Sequence, residues 1–118
     1  MVYNIMYMDT LVAKVTTDEN NMTISIEKYI SDSPMQPLWG DFSKESKQSL
    51  TNRFYGFLKD RCYEDNRADL PIILEQAGLS SNNPYEWVKV SHGVTYEDFF
   101  WIRFEGEDNL TWNDVRVR

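Results

Sequence analysis

The chain has 118 residues, of which 42% are hydrophobic and 14% aromatic, and its formal net charge at pH 7 is -7. This length predicts a single domain, residues 1–118, with one hydrophobic core, and the apolar runs are far shorter than the roughly 20 residues needed to cross a bilayer. The excess of acidic residues opposes direct binding to nucleic acid, because phosphates would be repelled.

The first thirty residues predict a β-meander. The segments YNIMYMD, LVAKVTT and MTISIEKYI are rich in β-branched and aromatic residues, and the polar residues 18–21 supply turn chemistry between the last two. The segment SDSPMQPLWGDF follows, and its Pro34, Pro37 and Gly40 break regular structure. We expect two or three antiparallel strands that lead into a helical region.

Three helices are predicted in the middle of the chain, the first over about residues 43–62. Its apolar residues recur at i, i+4, i+7 and i+8, which places four of them on one face: Leu50, Phe54, Phe57 and Leu58. The second helix is capped by Asn66 or Asp69 and ends at Gly78. Its expected inward-facing residues are Leu70, Ile73, Leu74 and Ala77.

The third helix has the clearest boundary signals. Asn83 is the expected N-cap, Pro84 takes the first helical position, Glu86 completes a capping box and Gly93 ends the helix. Its expected inward-facing residues are Trp87, Val88 and either Val90 or Ser91.

The C-terminal part predicts one more strand. The β-favouring run FFWIRF indicates a central strand from residue 98 or 99 to 105, followed by a turn over residues 106–109. Thr111 and Asp114 have the spacing of a capping box, which favours a short helical turn with Trp112 over a final strand. The predicted fold class is therefore α+β, with a small N-terminal β-meander, a three-helix middle and one further core strand near the C-terminus.

The only histidine, His92, is the candidate general base, with Glu97 and Asp98 as orienting acids. A catalytic triad also needs a nucleophile, but Ser91 precedes His92 directly on a helix and points elsewhere, and the motif G-x-S-x-G is missing. The favoured interpretation is a structural histidine at a helix C-terminus, where its ring satisfies terminal carbonyl groups.

Neither a metal site nor a cofactor is predicted. One histidine and one cysteine, Cys62, are too few and too far apart for zinc, the acid pairs lack the spacing of a calcium loop, and no glycine-rich phosphate loop is present. A single cysteine also cannot form an intramolecular disulfide, and without a secretion-signal pattern it favours the reducing cytoplasm. We therefore expect a cytoplasmic protein that is not an enzyme.

The segment KDRCYEDNRADLPIIL places Arg61 and Arg67 around Glu64, Asp65 and Asp69. A guanidinium can hold two carboxylate oxygens at once, so the arginines either form an internal brace between helices or present a contact patch to a partner. With acidic and aromatic residues further along the chain they form the candidate partner-contact set: Arg61, Arg67, Glu97, Asp98, Glu105, Glu107, Asp108 and Trp112.

The order of several segments carries a resemblance. VAKV in a hairpin, PMQPL, the helix FYGFLKDR, IILEQAGL and a closing HG-x(4)-D-aromatic stretch are similar, over about residues 5–104, to the N-terminal subdomain of HipA-type toxin kinases. DRCYEDNR and EDFFWIRFEGE also resemble strings in small uncharacterised proteins of bacterial mobile elements. The resemblance implies a non-catalytic lobe, because no catalytic-loop Asp and Asn, metal-binding Asp motif or nucleotide loop can be placed.

A freestanding lobe of that family is expected to bind a separately encoded kinase or its repressor. The leading hypothesis is thus a non-enzymatic protein-interaction or regulatory module that contacts such a partner through acidic and aromatic surface. The alternative is an acidic nucleic-acid mimic from a mobile element that inhibits a nuclease, in the manner of an anti-CRISPR protein. An enzyme centred on His92 is the third hypothesis.

Overall fold

The computed structural model describes residues 1–63 and 66–117, and within them it has four strands and four helices. In chain order these elements are β1 (Val2–Tyr7), β2 (Thr10–Thr17), β3 (Thr23–Lys28), α1 (Lys47–Lys59), α2 (Leu70–Ala77), α3 (Pro84–Ser91), β4 (Phe100–Phe104) and α4 (Trp112–Val115). The meander, the helical middle and the late strand confirm the predicted α+β class.

The strands form one antiparallel sheet in the order β3-β2-β1-β4. The prediction that the late strand is central is wrong, because β4 lies at an edge. In the meander β1 already pairs with β2 on one side, so β4 adds to the free side of β1. No further strand in the described residues pairs with the outer side of β4.

One face of the sheet carries the larger of two hydrophobic clusters. Its strand residues are fully buried and face each other across the strands: Tyr3, Ile5, Ala13, Val15 and Ile102. The predicted inward face of α1 is confirmed, since four residues are buried: Leu50, Phe54, Phe57 and Leu58. The Tyr3 ring contacts the rings of Phe54 and Phe104 edge to face, at centroid distances of 4.9 and 5.5 Å, which ties β1 to both α1 and β4.

The opposite face is polar over most of its length. Residues on it are partly exposed and include Asn4, Lys14, Thr16, Ser25 and Arg103. One end is covered by a second cluster of Met6, Trp101 and Trp112. The backbone N–H of Trp112 donates to Asp9 (2.8 Å) and the Trp101 indole donates to the carbonyl of Met8 (2.6 Å), so polar contacts tie both residues to the turn between β1 and β2.

The predicted helix ends agree well with the structure. Asp69 is the N-cap of α2, and Gly78 ends it in the left-handed conformation with φ 76°. Asp114 accepts a hydrogen bond from the Thr111 N–H (2.8 Å), which confirms the predicted helical turn at α4. No helix in the described part of the chain is long and apolar enough to cross a membrane.

At α3 the capping box is only half formed. Asn83 accepts a hydrogen bond from the Tyr85 N–H (2.9 Å), but the Glu86 carboxylate pairs with Lys89 (3.0 Å). The helix ends at His92, one residue before the predicted stop, and His92 itself has the left-handed φ of 57°.

Burial of the α2 and α3 faces was predicted less well. In α2 only Leu70 is buried, and three predicted inward residues are half-buried: Ile73, Leu74 and Ala77. In α3 Val88 is buried as expected and Tyr85 is buried as well, whereas Trp87 is half-buried and Val90 is exposed.

Candidate functional site

Arg61 follows the last turn of α1, and its side chain is only 4% exposed. Nε donates to the Gly93 carbonyl, Nη2 donates to Asp98 Oδ1 (2.5 Å) and to the Phe100 carbonyl (3.2 Å), and Nη1 donates to Asp98 Oδ2 (3.2 Å). The guanidinium also lies 5.2 Å from the centroid of the Phe57 ring. One buried cation therefore ties the end of α1 to the loop before β4 and to β4 itself.

The two predicted arginines have different environments. Arg67 is half exposed, lies 4.7 Å from the centroid of the Tyr63 ring, and donates from Nε to Asp69 Oδ1 (2.5 Å). That hydrogen bond lowers the pKa of the Asp69 carboxyl. Arg61 is an internal brace, but it joins a helix end to a loop and a strand and not two helices. Glu64 and Asp65, predicted between the arginines, lie outside the described residues.

His92 pairs with an acid that the sequence did not suggest. Its Nε2 lies 2.9 Å from Glu107 Oε2, while Asp98 is bound to Arg61 and Glu97 is exposed. The Ser91 hydroxyl accepts a hydrogen bond from the Gly93 N–H (3.0 Å). The geometry thus does not assemble the histidine, acid and nucleophile that the catalytic alternative requires.

The outer edge of β4 is closed by hydrogen bonds from within the chain. The register with β1 turns three backbone N–H groups of β4 away from the sheet, those of Phe100, Ile102 and Phe104. Asp98 Oδ1 accepts from the first (3.0 Å), the His92 carbonyl from the second (2.7 Å) and Glu107 Oε1 from the third (2.7 Å). Three residues of the predicted contact set therefore seal this edge: Arg61, Asp98 and Glu107.

The outer edge of β3 is open. Because Tyr29 N donates to the Val12 carbonyl (3.0 Å) and the pairs alternate, the N–H and C=O groups of Ile26 and Lys28 point away from β2. No hydrogen bond from residues 1–63 or 66–117 reaches these four groups. Only at the start of the strand is an outward N–H satisfied, where Thr23 donates to the Thr51 hydroxyl (2.8 Å).

A groove of about 820 Å³ runs along this open edge, and we call it the β3 groove. Its lining includes Ile24, Ile26, Lys28, Asp32, Asp41, Phe42, Glu45 and Leu50. The Phe42 ring lies 5.2 Å from both Lys28 Nζ and the Arg53 guanidinium, so this apolar ring of the lining has charged groups next to it.

Two carboxylates of the β3 groove, those of Asp32 and Asp41, are held in their charged form. Lys28 donates to Asp32 (2.9 Å) and lowers the pKa of that carboxyl, and Arg53 pairs with Glu45 (2.7 Å). Hydrogen bonds from Ser43 lower the pKa of Asp41, which takes part in no salt bridge of the described chain. The groove is therefore acidic at neutral pH.

The remaining predicted contact residues differ in their exposure to solvent. Glu97, Glu105 and Asp108 are exposed, whereas Trp112 is only 3% exposed and packs edge to face on Phe99 at 5.9 Å. In this structure Trp112 is a core residue.

The sequence interpretation missed the β3 groove. One signal was available: residues 29–46 form a connection without regular structure that is longer than usual, and such connections are often functional. Gln36 shows that the connection is ordered, because its buried side-chain amide donates to the carbonyls of Val12 and Ile30, both at 3.1 Å.

Comparison with family models, with curated proteins and with solved structures finds no match to this chain. Within the described residues, no group of three or more His, Cys, Asp or Glu side chains is placed to hold a metal ion.

Proposed function

We propose that this protein is a non-enzymatic protein-interaction module that binds an extended segment of a partner along the open edge of β3. The observation that carries the proposal is a difference between the two edges of the sheet in how their outward backbone groups are hydrogen-bonded. Ile26 and Lys28 present four free hydrogen-bonding groups beside a groove, while the outward N–H groups of β4 are all occupied. An extended segment added to a sheet edge pairs with groups of this kind.

Open edges are normally protected, because an exposed row of N–H and C=O groups invites pairing with other chains. At the β4 edge this protection comes from the three acceptors that occupy the outward N–H groups. The β3 edge has no such cover at Ile26 and Lys28, and a groove of about 820 Å³ lies beside it. The free N–H and C=O groups of Ile26 and Lys28 are therefore better explained by pairing with one partner than by permanent exposure to solvent.

The lining of the β3 groove specifies the chemistry of the bound segment. Ile26, Phe42 and Leu50 provide apolar surface, and Asp41 provides a carboxylate that is in no salt bridge with a described residue. In an extended segment alternate side chains point to opposite sides. The best-fitting segment alternates apolar residues, which face the floor, with lysine or arginine, which reaches the acidic wall.

We infer the kind of partner from the resemblance to the N-terminal subdomain of HipA-type toxin kinases. A separately encoded kinase of that type, or its repressor, would supply the basic extended segment. This chain would then restrain the kinase by binding and would perform no chemistry itself.

A second function is favoured by the exposed acids. Glu97, Glu105 and Asp108 are exposed and form no salt bridge with any described residue. Such carboxylates could occupy a nuclease groove that normally receives phosphates. Screening would weaken this mode strongly at high salt, whereas strand addition depends on backbone hydrogen bonds and apolar contact.

The test begins with a pull-down of the tagged protein from its host lysate at low and high salt, with identification by mass spectrometry. Affinity for the identified partner is then measured by calorimetry for the wild type, Ile26→Pro and the matched control Ile26→Val. Proline removes an N–H that faces away from the sheet, so the fold should survive while strand addition fails. We expect about tenfold or greater weakening for proline and little change for valine.

Hydrogen exchange in the wild type decides the question even if Ile26→Pro does not fold. Strand addition should slow exchange of the Ile26 and Lys28 amides in the complex. A partner that leaves both amides unchanged would contradict the proposal. If binding is also lost at high salt and in the double variant Glu105→Gln with Asp108→Asn, the nucleic-acid mimic replaces it.

A further inference from the structure

A second cavity, of about 510 Å³, lies on the β4 side of the sheet, between the end of α1, α3 and the loop before β4. The lining residues used below are Asp60, Arg61, Tyr63, Trp87, Tyr96 and Glu97. We propose that this aromatic pocket binds a cationic group: a lysine or arginine side chain or a quaternary ammonium ion. The site is separate from the β3 groove and does not depend on the function proposed above.

The walls of the pocket are aromatic rings set at an angle. Tyr63 and Trp87 meet with ring centroids 5.3 Å apart and an interplanar angle of 63°. Tyr96, also in the lining, is 71% exposed, the highest value among the exposed large hydrophobic residues. Aromatic faces carry negative quadrupole charge, so aromatic rings in the lining of a cavity favour a bound cation.

Two carboxylates give the pocket a negative charge. Asp60 and Glu97 are both exposed, and neither takes part in a salt bridge within residues 1–63 and 66–117. Arg61 lies in the inner wall, but its charge is compensated by Asp98, with which it makes two hydrogen bonds. The two carboxylates outside any salt bridge therefore favour a cation over an anion in this pocket.

The chain itself shows that this aromatic group accepts a cation. The Arg67 guanidinium lies 4.7 Å from the centroid of the Tyr63 ring while Asp69 holds its nitrogen atoms. Arg67 is not part of the pocket lining, so it leaves the cavity open. A guanidinium or ammonium group inside the cavity would find similar ring contacts together with Glu97.

An uncharged apolar ligand fits this pocket less well than a cation. Such a ligand would cover the carboxylates of Asp60 and Glu97 without pairing them, which costs free energy. Cation–π attraction and the two carboxylates act in the same direction only for a positively charged group.

The first experiment titrates the full chain with three probes: trimethyllysine, N-acetylarginine amide and the uncharged N-acetylnorleucine amide. Binding is followed by NMR at the indole N–H of Trp87, with the exposed Trp39 as an internal reference. We expect at least one cationic probe to bind with a Kd of roughly millimolar and the norleucine compound to bind at least about tenfold more weakly. The two cations separate ammonium from guanidinium recognition.

Substitutions then locate the site. Tyr96→Leu should weaken the cationic probe at least about fivefold, and Glu97→Gln should weaken it by about threefold, whereas the matched control Trp39→Leu should leave it unchanged. Tyr96 and Glu97 are exposed, so neither substitution threatens the fold. As an independent readout, the bound probe should slow alkylation of Cys62, which lines the same cavity.

The inference is overturned if no cationic probe shifts the Trp87 signal, or if the norleucine compound binds equally well. Exchange of the Ile26 and Lys28 amides should not respond to any probe. Failure at the aromatic pocket therefore stays distinguishable from failure at the β3 groove.

Discussion

The two edges of the sheet differ in how their backbone groups are satisfied. At β4, Asp98, the His92 carbonyl and Glu107 each accept one outward N–H, and Arg61 covers an outward carbonyl. At β3, the corresponding groups of Ile26 and Lys28 have no partner in the described chain. Polar side chains next to a strand can thus satisfy the outward backbone groups of an edge. A strand with an open edge need not have any unusual residue in its sequence.

This difference changes how the residues that first suggested a function are interpreted. Histidine, paired acids and a buried arginine gather around β4, where they resemble a reactive site in the sequence. In the structure Arg61, Asp98, Glu107 and the backbone carbonyl of His92 complete the hydrogen bonding of an edge strand. The surface that remains available for pairing lies at the other end of the sheet, in the segment TISIEK.

Hydrogen exchange should show the largest effect. The amides of Ile102 and Phe104 are hydrogen-bonded, whereas those of Ile26 and Lys28 are not, so protection should differ by on the order of a thousandfold. NMR-detected exchange of the isolated protein measures all four amides in one experiment. Equal protection at the two edges would remove the basis of the comparison.

Loss of the Arg61 brace should have the next largest effect. Arg61→Met removes the cation that pairs with Asp98 and the donor to the Gly93 and Phe100 carbonyl groups, and we expect a loss of about 3 kcal/mol in the free energy of unfolding. Urea unfolding measures this loss. The matched control is Arg67→Met, at an exposed ion pair, which should change stability very little. Similar losses in the two variants would argue against a brace at Arg61.

Substitution of His92 should have a smaller effect. Two variants together separate the contribution of its backbone conformation to stability from that of its side chain. A left-handed φ is unfavourable for histidine and for alanine alike, so His92→Ala keeps the backbone cost and should lose about 1 kcal/mol through the missing ring contact with Glu107. His92→Gly also loses the contact with Glu107 but relieves the backbone cost, so glycine should be less destabilising than alanine. Thermal unfolding of both variants tests the order, and the reverse order would show that the backbone conformation contributes little.

The smallest expected effect is the pH response of the β3 groove. Lys28 lowers the pKa of Asp32, so this contact stabilises the fold above the ordinary pKa of 3.8 and is lost as the pH falls through the lowered folded-state pKa. NMR titration should find the pKa of Asp32 below 3.8, and Lys28→Met should return it toward that value. An unchanged pKa in Lys28→Met would mean that Lys28 does not control the charge of this wall.

Local patterns predicted much of the fold but little of the candidate site. The strands of the meander, the buried face of α1, the Gly78 stop and the Thr111–Asp114 cap all depend on residues within a few positions of one another. Arg61 and Asp98 are 37 residues apart, and His92 and Glu107 are 15 apart. No periodicity or capping rule relates residues at such separations, so these pairs could not be read from spacing.

The sequence by itself determined the element types, most helix ends and the acidic net charge, because propensity, capping and net charge are local or additive properties. Only the tertiary structure decided that β4 lies at an edge, which acids close that edge, and that Ile26 and Lys28 face an open groove. The physical reason is that a backbone group becomes free or occupied only when strand order and register are set. Those depend on contacts between distant parts of the chain.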